Sequence, residues 1–581
     1  MGSKLRSVVA VAASAALGLS LAACGSGSDS DSDAGAEGTK GGTLNYLLGS
    51  PWESMDPQRI YLGVQLSSFR RTVYRGLVAF PMAEDEETGN TPVADLATDT
   101  GTANEDSTEW KFTLKDGIQW EDGSEITCED FRYGASRVFA NDIITGGPNY
   151  ILSYLDVPQK DGVPTYPGPY KATPAQQAEF DKAIECDGKD ITYHFNKPWA
   201  DFPLAAASLM STDPYKESED EGAKSLWKVF SNGPYKVEGG LWDKNKGATL
   251  VRNENYDDAT DEPDQLRKAL PDEIAFSIDG SDEAAETINR RLIADAGDDQ
   301  AAITASRVPS SMISQIEGPV EERYLNVESP YVSYLVPNAK KLTNLKVRQA
   351  IAAAVDKTGY IKALGGEKYA APATTLVNPS VTGSTPNPAF KDLDEAGDVE
   401  AAKALLAESG EKTPYPLKVT YQQSPTTDAA FAVLKTKWDE AGFKVTLDPL
   451  TDTYYDVIGK PDKDSDLMWG GWGADWPSAN TVLPPLFDGR PNISATNCNN
   501  DYGCYNSKAF NAKVDEAANA TDLDAQTKAL QEADAVLGEE VAYIPTEVTK
   551  FNWLYGSKVT GFTTTPASSS YAELGLIGVK Q

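Results

Sequence analysis

The apolar positions of this chain follow two different periods in alternating segments, which predicts a mixed α/β protein. Residues 43–48 form an apolar run that reads as a strand and ends in a Gly-Ser-Pro turn. Residues 109–127 alternate apolar and polar side chains on both sides of an Asp-Gly pair, which predicts a β-hairpin. Over residues 129–139 the apolar side chains recur on one helical face instead, so a helix follows.

The clearest α/β unit lies in the second half of the chain. Residues 417–421 and 443–447 read as strands, and a helix that begins near Thr427 carries apolar side chains at i, i+3 and i+7 between them. Gly442 stands where such a helix ends. A strand–helix–strand unit of this length implies a right-handed crossover in a mostly parallel sheet. A further helix is predicted over residues 345–356.

A glycine-rich stretch, GGWGADWPSAN (470–480), follows an apolar strand-like run that ends at Trp469. It holds one carboxylate, Asp475, between Trp472 and Trp476. An acid just before Trp-Pro can cap the next helix, and the two rings can belong to the core. The third interpretation is a ligand contact at the end of a strand.

Length and charge narrow the class of protein. A chain of 581 residues exceeds one compact core and predicts several domains. It has 52 basic and 87 acidic residues, a formal net charge of -35. This balance argues against nucleic acid as a partner, because nucleic acid requires a basic surface. It favours a well-solvated monomer.

The N-terminus predicts export. Lys4 and Arg6 precede an apolar run, which is too short to span a membrane comfortably and ends in Leu-Ala-Ala-Cys24. This ending resembles the lipobox of bacterial lipoproteins. The resemblance implies a signal peptide over residues 1–23, a lipidated Cys24, and a flexible linker over residues 24–42 that tethers the protein to the outer face of the cell membrane.

Four further cysteines suit an exported chain with disulfides. Cys498 and Cys504 bracket a short polar loop and are predicted to form a local bridge, which leaves Cys128 and Cys186 as the second pair. Their spacing does not suit zinc, and His194 is the only histidine of the chain. We expect no metal and no cofactor.

Nine stretches in order resemble one family, the extracellular solute-binding proteins of peptide- and nickel-type ABC importers (bacterial family 5). They are TVYRGLVAF (72–80), PVADLATD (92–99), WKFTLKDGIQWEDGSEITCEDFRYG (110–134), SNGPYKV (231–237), VRNENYD (251–257), LKVRQAIAAAVDK (345–357), AAKALLAESG (401–410), GWGADWP (471–477) and YNSKAFNAKVDEA (505–517). The resemblance implies an α/β fold with two lobes, a third domain and a ligand cleft between the lobes. It places lobe I in residues 41–72, 215–325 and 548–581, the extra domain in 73–214, and lobe II in 326–547.

The family resemblance also implies a role for the acid. In the peptide binders of this family, the acid of a W-x-x-D motif holds the α-ammonium of the peptide, and Trp472 and Asp475 stand at these two positions, with Trp476 beside them. A buried carboxylate needs a cation, and an ammonium supplies charge and donors. Many peptide binders continue with a second Asp-Pro, whereas this chain has Ser478-Ala479. Weaker predicted ligand contacts are Ser50, Trp52 and Tyr334.

The resemblance thus predicts a peptide-binding lipoprotein that delivers its ligand to a membrane permease. The chain has no P-loop, so ATP hydrolysis belongs to separate subunits. The alternatives are an oligosaccharide, metal-chelate or siderophore receptor of the same fold, and a lipid-anchored hydrolase. The last is disfavoured because no G-x-S-x-G motif occurs and acid–base groups other than carboxylates are scarce. The partner of the peptide carboxylate stays open among Arg59, Arg348 and Arg490, of which Arg348 reads as structural.

Overall fold

A computed structural model of the chain describes residues 38–160, 162–262 and 264–581. The predicted signal peptide, Cys24 and most of the predicted linker lie outside these residues. Among the described residues, no helix combines the length and the apolar character that a membrane crossing requires.

The first lobe is built on a five-stranded sheet. In sheet order its strands are β10 (Tyr235–Val237), β11 (Thr249–Arg252), β12 (Glu273–Ile278), β1 (Thr43–Leu48) and β13 (Ala302–Thr304). The predicted first strand, β1, lies parallel to both β12 and β13. Because parallel strands end at the same edge, the loops that follow β1 and β13 meet there, at the edge where open α/β sheets bind ligands.

The second lobe is built on a six-stranded sheet. In sheet order its strands are β15 (Ala370–Pro372), β19 (Ile544–Leu554), β14 (Tyr324–Pro337), β18 (Leu467–Gly473), β16 (Tyr415–Gln422) and β17 (Phe443–Leu450). The predicted α/β unit is confirmed here, with β16 parallel to β17 and helix α11 (Pro425–Glu440) between them. The helix begins two residues before the prediction because Ser424 Oγ accepts a hydrogen bond from Thr427 N–H at 3.1 Å.

The third domain carries a four-stranded sheet. In sheet order its strands are β4 (Thr102–Ala103), β5 (Glu109–Thr113), β9 (Asp190–His194) and β8 (Ile184–Asp187). The predicted hairpin over residues 109–127 is wrong, since β5 pairs with β4 and with β9, far along the chain. A separate buried core, which includes Phe112 and Tyr193, covers this sheet.

Three short antiparallel pairs and sixteen α-helices complete the regular structure of the described residues. The pairs are β2 (Val78–Ala79) with β3 (Val93–Ala94), β6 (Gln159–Lys160) with β7 (Val163–Pro164), and β20 (Val559–Thr560) with β21 (Gly578–Val579). The helices besides α11 are α1 (Gly63–Thr72), α2 (Glu86–Gly89), α3 (Cys128–Val138), α4 (Tyr150–Tyr154), α5 (Pro174–Phe180), α6 (Phe202–Ser208), α7 (Ala284–Ala294), α8 (Leu345–Ala353), α9 (Lys357–Leu364), α10 (Val399–Glu408), α12 (Tyr454–Ile458), α13 (Leu483–Phe487), α14 (Gly489–Asn492), α15 (Lys508–Ala518) and α16 (Leu523–Glu539). Helices α3 and α8 confirm two predictions made from apolar spacing.

Two long strands, β14 and β19, link the cores of the two lobes. At one end, Tyr324 and Leu554 pair and pack against a small core that includes Leu47 of the first lobe. At the other end, Leu335 and Ile544 pair within the core of the second lobe. The register of the two strands shifts in between. A paired, irregular two-strand crossing is a suitable hinge for lobe closure.

Both predicted disulfide pairings occur. Cys128 at the start of α3 bonds to Cys186 of β8, and Cys498 bonds to Cys504 across a short loop. The first bridge fixes a helix to the edge of the third-domain sheet. The second closes a loop beside the second lobe, where Lys463 Nζ lies 3.1 Å from Cys504 Sγ.

Candidate ligand-binding site

The glycine-rich stretch continues β18, which runs antiparallel to β14. A Cβ on Gly470 would come within 2.8 Å of the Tyr334 ring, and one on Gly473 would come within 2.8 Å of the Tyr331 ring. The glycines therefore make room for tyrosine rings of the neighbouring strand. This close packing places the end of β18, and Asp475 after it, where the two lobes and the third domain meet.

The Asp475 carboxylate is held by phenols from two other parts of the molecule. Its Oδ2 accepts a hydrogen bond at 2.8 Å from the hydroxyl of Tyr61, which precedes α1 in the first lobe. The same oxygen accepts a hydrogen bond from the hydroxyl of Tyr150, the first residue of α4 in the third domain. Its other oxygen, Oδ1, accepts none from the described part of the chain. One oxygen is thus fixed and the other is open for a further donor.

Asp475 caps no helix. Its own N–H donates to Thr481 Oγ1 at 3.0 Å, and its side chain receives the two phenols described above. The short 3₁₀-helix that follows, Ala479–Thr481, is capped by Ser478, whose Oγ accepts from Asn480 N–H at 3.2 Å. The capping interpretation of the motif is therefore wrong.

The surroundings of Asp475 disfavour the ionised form of its carboxyl group. Burial raises the pKa of the Asp475 carboxyl, while the hydrogen bonds from Tyr150 and Tyr61 lower it and offset part of the effect. Burial beside this carboxylate also raises the pKa of both phenols, so they stay protonated donors. Such a carboxylate gains most from a cation that reaches Oδ1.

The two tryptophans of the motif have different surroundings. Trp472 is partly buried, and its indole N–H donates to the Thr481 carbonyl at 2.9 Å within the second lobe. Trp476 is buried in the core of the third domain, where its indole N–H donates to Asp201 Oδ2 at 2.6 Å. Its ring lies edge-on to Tyr150, with centroids 4.7 Å apart. Trp476 therefore anchors the second lobe to the third domain beside Asp475.

A small cavity of about 100 Å³ lies next to Asp475. Both lobes and the third domain contribute to its wall, which includes Ser67 from α1, Ser208 from α6 and Trp476 beside Asp475. The volume corresponds to about three water molecules. It admits a small cationic group and not a whole peptide.

A larger cleft of about 700 Å³ lies at the carboxyl ends of β1 and β13. Its size is that of a typical ligand pocket. Ser50 and Trp52 line it on the side of the first lobe, and Tyr369 and Thr426 line it on the side of the second. The inter-lobe cleft therefore lies where the loop after the first strand was expected to face ligand.

The cleft and the small cavity are neighbours. Val64 of α1 lines the cleft, and Ser67, one turn later, lines the small cavity. Gly63, the first residue of α1, lies close to two tyrosines, since a Cβ there would be 3.6 Å from the Tyr571 ring and 3.9 Å from the Tyr331 hydroxyl. Tyr571 also lines the cleft.

The remaining predicted ligand contacts differ in exposure. Ser50 is exposed at the cleft. Trp52 is only 4% exposed, and its ring stacks on Trp242 in the core of the first lobe. Tyr334 is 1% exposed in the core of the second lobe, packed over Gly470, and lines neither space. The alternation along β14 turns Tyr334 inward, so its role here is packing.

The three arginines considered for a ligand carboxylate are engaged elsewhere. Arg59 is buried and donates to the Ile143 carbonyl at 2.7 Å. Arg348 donates to the Glu540 carbonyl, and Arg490 forms ion pairs with two aspartates. None of them lines either space.

Sequence reasoning missed Tyr61, Tyr150 and Asp201. No motif marks these residues, and each is more than 250 residues from the partner it contacts around position 475. Among the described residues, no group of three or more histidine, cysteine or acidic side chains is arranged to hold a metal ion.

Comparison with known proteins agrees with this architecture. A family model for bacterial extracellular solute-binding proteins, family 5, matches residues 91–494. A probable deoxycholate-binding periplasmic protein of Escherichia coli (strain K12) is 25% identical over 75% of this chain and 76% of its own. A probable D,D-dipeptide-binding periplasmic protein of the same strain is 23% identical over 88% and 91%. The solved structure of clavulanic acid biosynthesis oligopeptide binding protein 2 superposes with a TM-score of 0.82 at 25% identity, over 94% of this chain and 96% of the other.

The chain belongs to family 5 of the bacterial extracellular solute-binding proteins, the substrate-binding proteins of ABC importers. It has the two-lobed fold with a third domain that this family uses. It is a binding protein and not an enzyme.

Proposed function

We propose that this protein captures peptides between its lobes and delivers them to the permease of an ABC importer. The observation that carries the proposal is the Asp475 carboxylate, whose Oδ2 is fixed by phenols of two other bodies and whose Oδ1 is open beside a small cavity. An α-ammonium fits this position because it brings a full positive charge and three donors. The tryptophan and tyrosine rings around it add cation–π attraction.

The rest of the peptide extends from Asp475 into the larger cleft. The small cavity has room for the ammonium and its first atoms only, and the 700 Å³ cleft lies about one turn of α1 away, since Ser67 lines the first and Val64 the second. The ligand enters when the lobes open about the paired strands β14 and β19. Contacts to both lobes then favour the closed form, which the permease recognises.

The relatives are named for different ligands, so the ligand class of this protein is inferred from its own site. The similar proteins include a D,D-dipeptide binder and an oligopeptide binder, and also a deoxycholate binder. A bile acid or a neutral sugar gives the open oxygen of Asp475 no cation. The acid therefore favours peptides over these ligands.

Native mass spectrometry of the soluble form, cut after Cys24 and purified from cells, tests the proposal. A spread of bound masses that match short peptides supports it. One discrete mass that fits a hexose series, a metal chelate or a siderophore contradicts ammonium binding by Asp475 and leaves the transport role in place.

Anchoring at the outer face of the membrane is part of the same proposal. It rests on the sequence around Cys24, which lies outside the described residues. In the intact chain, Cys24→Ala should move the protein from the membrane fraction to the soluble fraction. Retention of the variant in the membrane fraction contradicts the lipid anchor.

A further inference from the structure

We infer that the Cys498–Cys504 bridge is a redox-active disulfide, which a dithiol opens and a disulfide re-forms on the folded protein. The bridge closes a short loop, and the side-chain nitrogen of Lys463 lies 3.1 Å from Cys504 Sγ. A disulfide sulfur is uncharged and a weak acceptor, so the oxidised bridge gives this ammonium little. The same contact becomes a strong ion pair once Cys504 is a thiolate. None of these three residues lines the cleft or the small cavity beside Asp475.

Lys463 places a positive charge inside the protein. It is 7% exposed, and its ammonium donates to the Lys460 carbonyl at 3.1 Å as well as to the Cys504 sulfur. Neither contact is anionic in the oxidised protein, so the cost of burying the charge is offset only in part, chiefly by the nearby carboxyl of Asp501. Burial lowers the pKa of the Lys463 ammonium to about 8, which leaves it mostly charged at neutral pH. A Cys504 thiolate supplies a direct counter-ion, and the ammonium therefore favours the reduced bridge.

An acid inside the same loop can exchange a proton near neutral pH. Asp501 is fully buried; its Oδ1 accepts from the Tyr505 N–H at 3.0 Å, and its Oδ2 has no partner among the described residues. Its own N–H donates to the Cys498 carbonyl at 3.0 Å, and its carbonyl accepts from the Cys504 N–H at 2.8 Å. Burial raises the pKa of the Asp501 carboxyl to about 7. A thiolate that leaves the bridge thus has a proton donor in its own loop.

Three further charged residues act on this pair within the described structure. Asp462 favours the ammonium of Lys463, and Lys340, which follows β14, disfavours it. Asp488, which follows α13, disfavours the carboxylate of Asp501. These charges are present in both redox forms of the bridge. The charge that reduction adds is the thiolate, and its nearest described cation is Lys463.

Reduction proceeds in two exchange steps with a dithiol. A thiolate of the dithiol attacks Cys504 Sγ, because Cys504 is 6% exposed and Cys498 is fully buried. The S–S bond breaks, and Cys498 leaves as a thiolate and takes a proton from the Asp501 carboxyl. The second thiolate of the dithiol then attacks its own sulfur in the mixed disulfide and releases Cys504 as a thiolate beside Lys463. The dithiol loses two electrons and two protons; one proton replaces that of Asp501, and the other goes to solvent.

The bridge fixes the spacing of two contacts in the second lobe. The Cys498 N–H donates to the Gly459 carbonyl at 2.7 Å, directly after α12. The Gly503 carbonyl accepts from the Ala339 N–H at 2.9 Å, shortly after β14. Reduction removes the cross-link between these contacts. We therefore expect faster hydrogen exchange in residues 494–504 and at the end of α12 in the reduced form, with the sheets of both lobes unchanged.

The other bridge of the chain is an internal control for a redox titration. Cys128 Sγ lies 3.8 Å from the Glu185 carbonyl, a neutral group, instead of an ammonium. The soluble form is equilibrated with mixtures of reduced and oxidised dithiothreitol, and free thiols are then alkylated and assigned by peptide mass mapping. We expect Cys498–Cys504 to open at a ratio of dithiol to disulfide about tenfold or more below the ratio that Cys128–Cys186 requires.

Substitution of Lys463 isolates the effect of its charge. Lys463→Met keeps a long side chain and should raise the ratio needed to open Cys498–Cys504 about tenfold at pH 8, with no change at Cys128–Cys186. Lys463→Arg keeps the positive charge and should retain most of the wild-type behaviour. Lys460→Met removes an exposed lysine three residues earlier and should change neither bridge.

A second measurement needs no bridge. Cys498→Ser leaves Cys504 as a single thiol beside Lys463, and the ultraviolet absorbance of the thiolate follows its formation with pH. The midpoint should lie below the value of about 8.5 that is usual for a free thiol. Addition of Lys463→Met should raise that midpoint, and a purely structural lysine would not move it in this direction.

Two sets of results overturn the inference. If both bridges open at the same ratio, and Lys463→Met changes neither that ratio nor the midpoint of thiolate formation, the Cys498–Cys504 bridge is structural. If Lys463→Met lowers the melting temperature of the oxidised protein and shifts both bridges equally, it acts on the fold and not on Cys504. A shift confined to Cys498–Cys504 that Lys463→Arg avoids supports the redox role.

Discussion

The indole N–H of Trp476 donates to Asp201 Oδ2 at 2.6 Å, and this contact joins the second lobe to the third domain. Asp201 is 1% exposed, its Oδ1 has no partner in the described structure, and burial raises the pKa of its carboxyl. Trp476, the residue after Asp475, therefore holds the second lobe and the third domain together. Ligand recognition at Asp475 and the docking of the third domain share one short segment.

We expect Trp476→Phe to loosen that docking. The substitution keeps an aromatic ring and removes the donor, which leaves the buried carboxylate of Asp201 underpaired at a cost of about 1–3 kcal/mol. The change should appear as a lower melting temperature and as faster hydrogen exchange in α4 and α6. The matched control is Trp472→Phe, since Trp472 donates to Thr481 within the second lobe. Faster exchange in α4 and α6 of the control as well would contradict the assignment.

Asp475→Asn should lose peptide affinity on the order of 100-fold, because one partner of a buried charge pair is lost. The melting temperature should change little, since Asp475 caps no helix and the amide oxygen still accepts from a phenol. Calorimetry and thermal unfolding measure the two quantities. Asp452→Asn, an exposed acid of the same lobe, is the matched control and should retain affinity. A variant that melts early and binds normally would assign a structural role to Asp475.

Peptide binding should weaken as the pH falls, because the Asp475 carboxyl must lose its proton to hold an ammonium. Burial raises the pKa of this carboxyl, so the loss should begin at a higher pH than for an exposed aspartate. Tyr150→Phe removes a hydrogen bond that lowers this pKa and should move the loss to still higher pH. Dissociation constants between about pH 4 and pH 8 measure the shift. An unchanged profile in Tyr150→Phe would mean that Asp475 does not titrate with binding.

The parts of the fold that the sequence predicted well are those specified by neighbouring residues. Helix α11 has its own cap at Ser424 and its own end at Gly442, so its apolar face and its limits can be read locally. The hairpin over residues 109–127 failed because the partner of β5 is β9, whose residues pair with it from 77 or more positions away. Local alternation shows that a strand exists and does not show which strand it joins.

The candidate site, too, could be predicted from the sequence only where the signal is local. Asp475 and its tryptophans stand out in the sequence because a charged residue between two large rings is unusual. Tyr61 and Tyr150 lie in ordinary contexts, and only the meeting of three bodies makes them partners of one carboxylate. Trp52 was predicted to contact ligand because it lies in the loop after the first strand. Its ring packs in the core of the first lobe instead, because stacking on Trp242 buries a large apolar surface.

Glu547 of β19 offers a test of electrostatics in the second lobe away from the ligand. It is 2% exposed, its Oε2 has no partner among the described residues, and burial raises the pKa of its carboxyl to about 7. Since the folded state binds this proton more tightly than the unfolded state, stability is greatest below the unfolded pKa near 4.5. It decreases as the pH rises to about 7 and then stays lower, by about 3 kcal/mol.

Glu547→Gln should therefore stabilise the protein by about 1–3 kcal/mol above neutral pH and change it little near pH 5. The gain falls short of the full penalty because buried Lys357, whose ammonium favours the Glu547 carboxylate, loses an attractive partner. Denaturant unfolding at the two pH values measures the difference. Glu539→Gln changes an exposed acid nearby and should show no such dependence on pH. A gain for Glu547→Gln that is equal at both pH values would show that folding does not shift the pKa of Glu547.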